Sequence, residues 1–157
     1  MNRKLHKALS VLIMIAAVLI LLSGCSYFDM KSAHGDVPDI IDVNIETSPD
    51  QLLPNQPVTI SAIISQGGDA VNDANKVEFE VWKRGEKNHE KRKGKHQGEG
   101  KYSIERTFPS DGIYYVIAHV SARDMHNMPR RQLIVGTVSD DEIAQANAKP
   151  DQSTYMH

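Results

Sequence analysis

From Ile41 onward apolar and polar residues alternate with a period of two, the pattern of strands that lay one face on a core. Ile41, Val43 and Ile45 alternate with Asp42, Asn44 and Glu46, and Ser48-Pro49-Asp50 ends the run. After the turn Pro54-Asn55-Gln56-Pro57, Val58, Ile60, Ala62 and Ile64 form a second inner face. Gln66-Gly67-Gly68-Asp69 opens a polar loop that reaches Asn75. Val77, Phe79 and Val81 make a third face, with Trp82 on the opposite side. The period then fails across residues 83–100 and returns with Tyr102, Ile104 and Phe108. Asp111-Gly112 signals another turn before the longest alternation, residues 112–123. One side of it holds Tyr114, Val116, Ala118, Val120 and Ala122; the other holds Tyr115, Ile117, His119, Ser121 and Arg123. The chain returns through residues 133–138. Six strands are clear, and a weak seventh is expected within residues 88–96.

Strands at this spacing, with no helical period between them, predict an all-β sandwich. Asp111, Gly112 and Tyr114 fit the tyrosine corner of immunoglobulin-type sandwiches, in which a tyrosine near the start of a late strand bonds back to preceding backbone. Val116 then takes the inward position that a disulfide cysteine holds in antibodies. The expected fold is an immunoglobulin-like antiparallel β-sandwich of six or seven strands over residues 38–138. Beyond it, Ser139-Asp140-Asp141-Glu142 matches a capping box, which predicts a short helix to about Lys149, before Pro150. Residues 151–157 read as a frayed tail.

The first 24 residues stand outside this pattern. Arg3, Lys4 and Lys7 precede an apolar run over residues 9–22, and small residues lead into Cys25. That order is a secretory signal with a cleavage site. Leu22-Ser23-Gly24-Cys25 resembles the lipobox of bacterial lipoproteins, which implies diacylglyceryl transfer to Cys25 and cleavage before it. The run is short for a membrane span, which needs about 20 apolar residues. Residues 25–37 read as the lipidated cysteine and a tether, with His34 a solvated linker residue. The expected location is the extracytoplasmic face of the cell membrane, held by the lipid.

Lipidation would consume the one cysteine of the chain, leaving no thiol for a disulfide, a nucleophile or a zinc site. Losing residues 1–24 removes three of the 18 basic side chains and none of the 20 acidic ones, so the mature formal charge is −5. That balance gives no reason to expect nucleic acid as a partner. The basic run Lys83, Arg84, Lys87, Lys91, Arg92, Lys93 and Lys95 reads as a charged connection that keeps an edge from pairing. Its alternative is attraction to anionic headgroups or wall polymers, and His89 is read with it. No Gly-x-Ser-x-Gly elbow, phosphate-cradling glycine loop or His-Glu-x-x-His helix occurs, so a non-enzymatic module is expected.

Candidate ligand chemistry centres on Met125-His126-Asn127-Met128. Thioether and imidazole without thiolate suit copper, above all Cu(I), better than zinc, calcium or magnesium. In a sandwich of this type the loops at residues 66–75, 96–101 and 124–129 share one end. His96 is therefore expected near Met125, His126 and Met128, with Asp69 and Asp73 on the neighbouring loop. His119 lies further down its strand, facing outward. The competing reading has the methionines plugging the open end of the sandwich, since flexible thioethers fill irregular gaps.

His96, Gly98 and Gly100-x-Tyr102, then Pro109-x-x-Gly112-x-Tyr114-x-Val116, His119-Val120-x-Ala122, Met125-His126-x-Met128-Pro129 and Val135-Gly136 together resemble the YtkA-like domain family, related to FixH-type proteins. The resemblance covers residues 38–138. It implies an immunoglobulin-like fold on a small, membrane-attached extracytoplasmic protein. FixH-like members are associated with maturation of copper-containing oxidases and with copper export, so the resemblance implies copper as ligand. It matches His96, His119, Met125, His126 and Met128 as metal ligands, and a copper-containing oxidase or copper transporter as partner. The basic surroundings of His89 and His96 depart from a cation site. A second function class stays open: an adaptor that offers a sheet face around Trp82, Tyr115, Ile117 and His119 to a membrane protein or the wall.

Overall fold

The computed structural model describes residues 39–148. They belong to a compact unit, Pro38–His157. The expected signal segment, Cys25, the expected tether and the last nine residues lie outside the described part. Alternating sequence becomes two antiparallel five-stranded sheets. The first holds β1 (Ile41–Ser48), β2 (Pro57–Gln66), the two-residue β3 (Asp69–Ala70), β6 (Lys95–Gly98) and β7 (Lys101–Thr107), in the order β1-β2-β7-β6 with β3 on β2. The second holds β4 (Lys76–Lys83), β5 (Glu90–Lys93), β8 (Gly112–Ala122), β9 (Met125–Asn127) and β10 (Arg130–Val135), in the order β10-β8-β4-β5 with β9 also on β8. This is the immunoglobulin-like arrangement expected of the alternation.

The inner faces pack where the sequence places them. Ile41, Val43, Ile45, Val58, Ile60, Ala62, Ile64, Val77, Phe79 and Val81 join Tyr102, Ile104, Phe108 and the even side of β8, Tyr114 to Ala122, in one core. The Tyr114 hydroxyl donates to the Ser110 carbonyl at 3.0 Å and so closes the tyrosine corner.

The basic run holds the weak strand expected within residues 88–96, as β5, but the rest of it differs from its expected form. It is no loose connection: it contains β5 and β6, edge strands of opposite sheets, and the chain changes sheet at Gly94. The crossover hugs the core there. A Cβ on Gly94 would stand 3.0 Å from the Phe79 ring and 3.2 Å from Val77, so a side chain at the switch would push both core residues by a few tenths of an ångström. Edge strands escape the apolar alternation because much of their surface faces water, and lysines there discourage pairing with a second molecule.

The C-terminal helix, α1 (Asp140–Ala148), begins where the capping residues put it, with Glu142 N–H donating to Ser139 Oγ at 3.3 Å. It does more than end the chain. Ala146 and Ile143, with Val138, pack on Trp82, Ile113, Tyr115 and Ile117 as a second apolar cluster on the outer face of the second sheet. Trp82, Tyr115 and Ile117 are accordingly 1%, 1% and 4% exposed. This corrects the adaptor reading at these three residues: the face they make is covered by the protein's own helix. No helix among the described residues is long and apolar enough to cross a membrane.

Candidate functional site

The hairpin of β8 and β9 turns earlier than its composition suggests. Its two central residues are Arg123 and Asp124, both at positive φ (50° and 62°), the backbone of a two-residue turn matched to strand twist. Neither is glycine or asparagine, the usual signal. Arg123 is held from the neighbouring loop, donating to Gln66 Oε1 at 2.6 Å and facing Asp73 at 3.6 Å. Met125 to Asn127 therefore lie on a returning strand rather than in a bend.

Register then decides which donors meet. His126 pairs with Ser121, Asn127 with Val120 and Arg130 with Ile117. One register runs through both β9 and β10, so Met128 stands opposite His119 and Pro129 opposite Ala118. The Ala118 N–H donates to the Pro129 carbonyl at 3.1 Å, as that register requires. Strand alternation sends successive side chains to opposite faces. Met125 packs against the inner core, and Asn127 donates to the Ile41 carbonyl. His126 and Met128 share the outer face with His119 of the adjacent strand. Met128 is 62% exposed.

The five expected ligands thus separate. His119, His126 and Met128 occupy neighbouring rungs of one face. Met125 belongs to the core, which matches the gap-filling reading for that residue alone. His96 sits on β6 in the other sheet, with Nε2 3.0 Å from Asn72 Oδ1 and its ring over Tyr102. The shared end of the sandwich is real: the loop after β2 touches both β6, through Asn72, and Arg123. Sharing an end does not bring the donors together, because sheets pack about 10 Å apart and the histidines on β8 and β9 face away from the first sheet. His96 and Met125 drop out of the ligand set on these grounds.

The same face carries a cluster that residue patterns do not announce. Glu80 projects from β4 and is 3% exposed. Its Oε1 lies 2.5 Å from His89 Nδ1 and its Oε2 lies 2.7 Å from His119 Nε2, with Lys91 Nζ at 3.3 Å. Burial would raise the Glu80 carboxyl, but the bonds from His89, His119 and Lys91, with the Lys91 charge, overcome it and bring it to about 2. An ionised carboxylate only accepts, so His119 shares its Nε2 proton with Glu80. In the neutral ring that fixes Nδ1 as the lone-pair nitrogen. The His126 ring is held in turn by Ser121 Oγ, 2.8 Å from Nδ1. His89 is stacked on Trp82, centroids 4.3 Å apart and planes 11° from parallel. This corrects its reading as part of a solvated charged run: with a side chain 9% exposed, it is a built part of the outer face.

Two imidazoles and a thioether on an open face form a soft, neutral donor set that fits Cu(I) and lacks the hard oxygens that calcium or magnesium needs. Among the described residues no three His, Cys, Asp or Glu side chains converge to hold an ion, so any site here depends on the thioether of Met128. The sequence signal that could have located it is the strand period: read as a strand, Met-His-Asn-Met splits into two pairs.

The family model described as YtkA-like matches residues 36–119. No curated protein matches the chain. Among solved structures, the soluble domain of PmoD from Methylocystis sp. ATCC 49242 (Rockwell) aligns at 14% identity over 62% of this chain and 92% of its own, with a TM-score of 0.42. A superoxide reductase (neelaredoxin) from Ignicoccus hospitalis aligns at 13% identity over 63% and 82%, with a TM-score of 0.37. The PKD domain of the human VPS10 domain-containing receptor SorCS2 aligns at 18% identity over 66% and 77%, with a TM-score of 0.39. Scores at this level carry nothing about function.

Proposed function

The chain belongs to the YtkA-like family, and on that premise we propose that it is a lipid-anchored, extracytoplasmic copper-binding module that takes Cu(I) on His119, His126 and Met128 and passes it on. Copper is cargo here, and the module is not catalytic. The observation that carries this reading is the single register through β9 and β10, which stacks two imidazoles and a thioether on one exposed face. Glu80 and Ser121 hold the two rings, so less freedom is lost when a metal binds. Exposure of Met128 suits transfer, since a recipient's own ligands can reach a metal held at the surface. The recipient in this reading is a copper-containing oxidase or a copper transporter in the same membrane, and Cys25 supplies the anchor.

A competitive Cu(I) titration of the unit Pro38–His157 against a chelator of known affinity tests the proposal. The expected result is one equivalent bound at submicromolar dissociation constant, on the order of −8 kcal/mol or better, with His119→Ala and His126→Ala each weakening it by about tenfold or more. Absence of binding, or binding indifferent to both substitutions, would overturn it. The anchor is tested separately: Cys25→Ser is expected to release the chain from the membrane fraction, and retention there would contradict lipidation.

A further inference from the structure

The sheet switch at Gly94 creates an open cleft of about 430 Å³, lined by Arg92, Lys93, Lys95, Gln97, Ser103, Ile104 and Glu105. That volume lies within the range of small-molecule sites. Its charge is unusual for a chain whose acidic residues outnumber its basic ones. Three cations face one carboxylate. Among the described residues neither Lys93 nor Lys95 has an ion-pair partner. Arg92 is fixed in place, with Nε bonded to Glu90 and a terminal nitrogen donating to the Glu105 carbonyl at 3.1 Å. Arg106 closes on the other oxygen of Glu90 at 2.6 Å. Burial opposes ionisation of Glu90, yet Arg92 and Arg106 keep its carboxyl below the ordinary range. The guanidinium is therefore oriented by its neighbours, while the two lysine charges stay unspent.

Edge protection explains lysines on a strand, but it needs neither a concave surface nor a guanidinium tied down at two points. We propose that this cleft binds a phosphate-bearing anion, with Lys93 and Lys95 supplying charge and Arg92, Gln97 and Ser103 supplying oriented or polar groups around it. Lysine serves phosphate as a point charge, and arginine adds planar donors. The site is separate from the outer-face histidines and does not depend on copper.

The test follows amide chemical shifts of the unit Pro38–His157 during titration with inorganic pyrophosphate, beside cosedimentation with vesicles of phosphatidylglycerol or of phosphatidylcholine. The expected result is a saturable shift at Lys93, Gly94, Lys95 and Ser103, or sedimentation with phosphatidylglycerol alone. The double variant Lys93→Ala/Lys95→Ala is expected to weaken it by about tenfold or more. Lys76→Ala, which removes a lysine that is paired with Glu78 and stands outside the cleft lining, serves as the control for unspecific loss of charge and is expected to leave binding unchanged. Binding of pyrophosphate identifies a free phosphate ligand; binding only to phosphatidylglycerol vesicles identifies a lipid headgroup. No saturable response in either arm, or equal loss in the Lys76→Ala control, overturns the proposal.

Discussion

Trp82→Ala is expected to destabilise the domain by about 3–5 kcal/mol, the usual cost of emptying a buried aromatic site. Trp82 is 1% exposed although it lies outside the main core. Its ring stacks on His89 and stands 5.4 Å from Tyr115, and α1 seals the cluster through Ala146 and Ile143. Removal takes away packing on three sides at once. For a domain of this size the loss corresponds to a fall in Tm on the order of 10–20 °C or more. Urea unfolding followed by far-UV circular dichroism measures it. A loss below about 1 kcal/mol, the level of an ordinary surface substitution, would mean that the helix does not cover this face, and the adaptor reading would regain its surface.

The second large effect belongs to Glu80. With its carboxyl lowered from 4.5 to about 2, linkage assigns it roughly 3 kcal/mol of stability at neutral pH. The folded value is depressed, so this contribution is complete above about pH 4.5, declines as pH falls through the window down to about 2, and is absent below it. Glu80→Gln keeps the shape and removes the charge. The variant is expected to lie below the parent by roughly 3 kcal/mol at neutral pH, with the gap closing between pH 4.5 and 2. Unfolding curves for both proteins across that range check it. A gap that stays constant down to pH 2 would place the stabilisation in packing instead of charge.

Much of the fold is legible in the residues. Burial of every second position forces the alternation seen in β1, β2, β4 and β8, and the Tyr114 corner and the Ser139 cap are local devices that reveal themselves in short motifs. The outer face is less legible because its partners are brought together by register, across strands. Glu80 meets His119 from a position 39 residues away, and His89 lies in a run whose charges hide the edge strand beside it. The helix adds a further layer: a short capped segment at a chain end carries no sign of which sheet face it covers. At the candidate site a single placement, the turn at Arg123 and Asp124, settles everything. Lengthening or shortening the loop by one residue shifts the pairing register by one and exchanges the two faces of the returning strand. Pro129 and Asn127 suggest a bend at the methionines, whereas the turn used contains neither glycine nor proline.

Copper binding on the outer face stands or falls with that placement. Met125 and Met128 lie three residues apart but serve opposite faces, one against the core and one at the open ligand set. Leucine replaces either with little change in volume and removes only the sulfur. Competitive Cu(I) titration of Met125→Leu and Met128→Leu is the direct measurement. The outer-face site predicts that Met128→Leu weakens copper binding by about tenfold or more while Met125→Leu binds as the parent does; loss on Met125→Leu with Met128→Leu unaffected would contradict it.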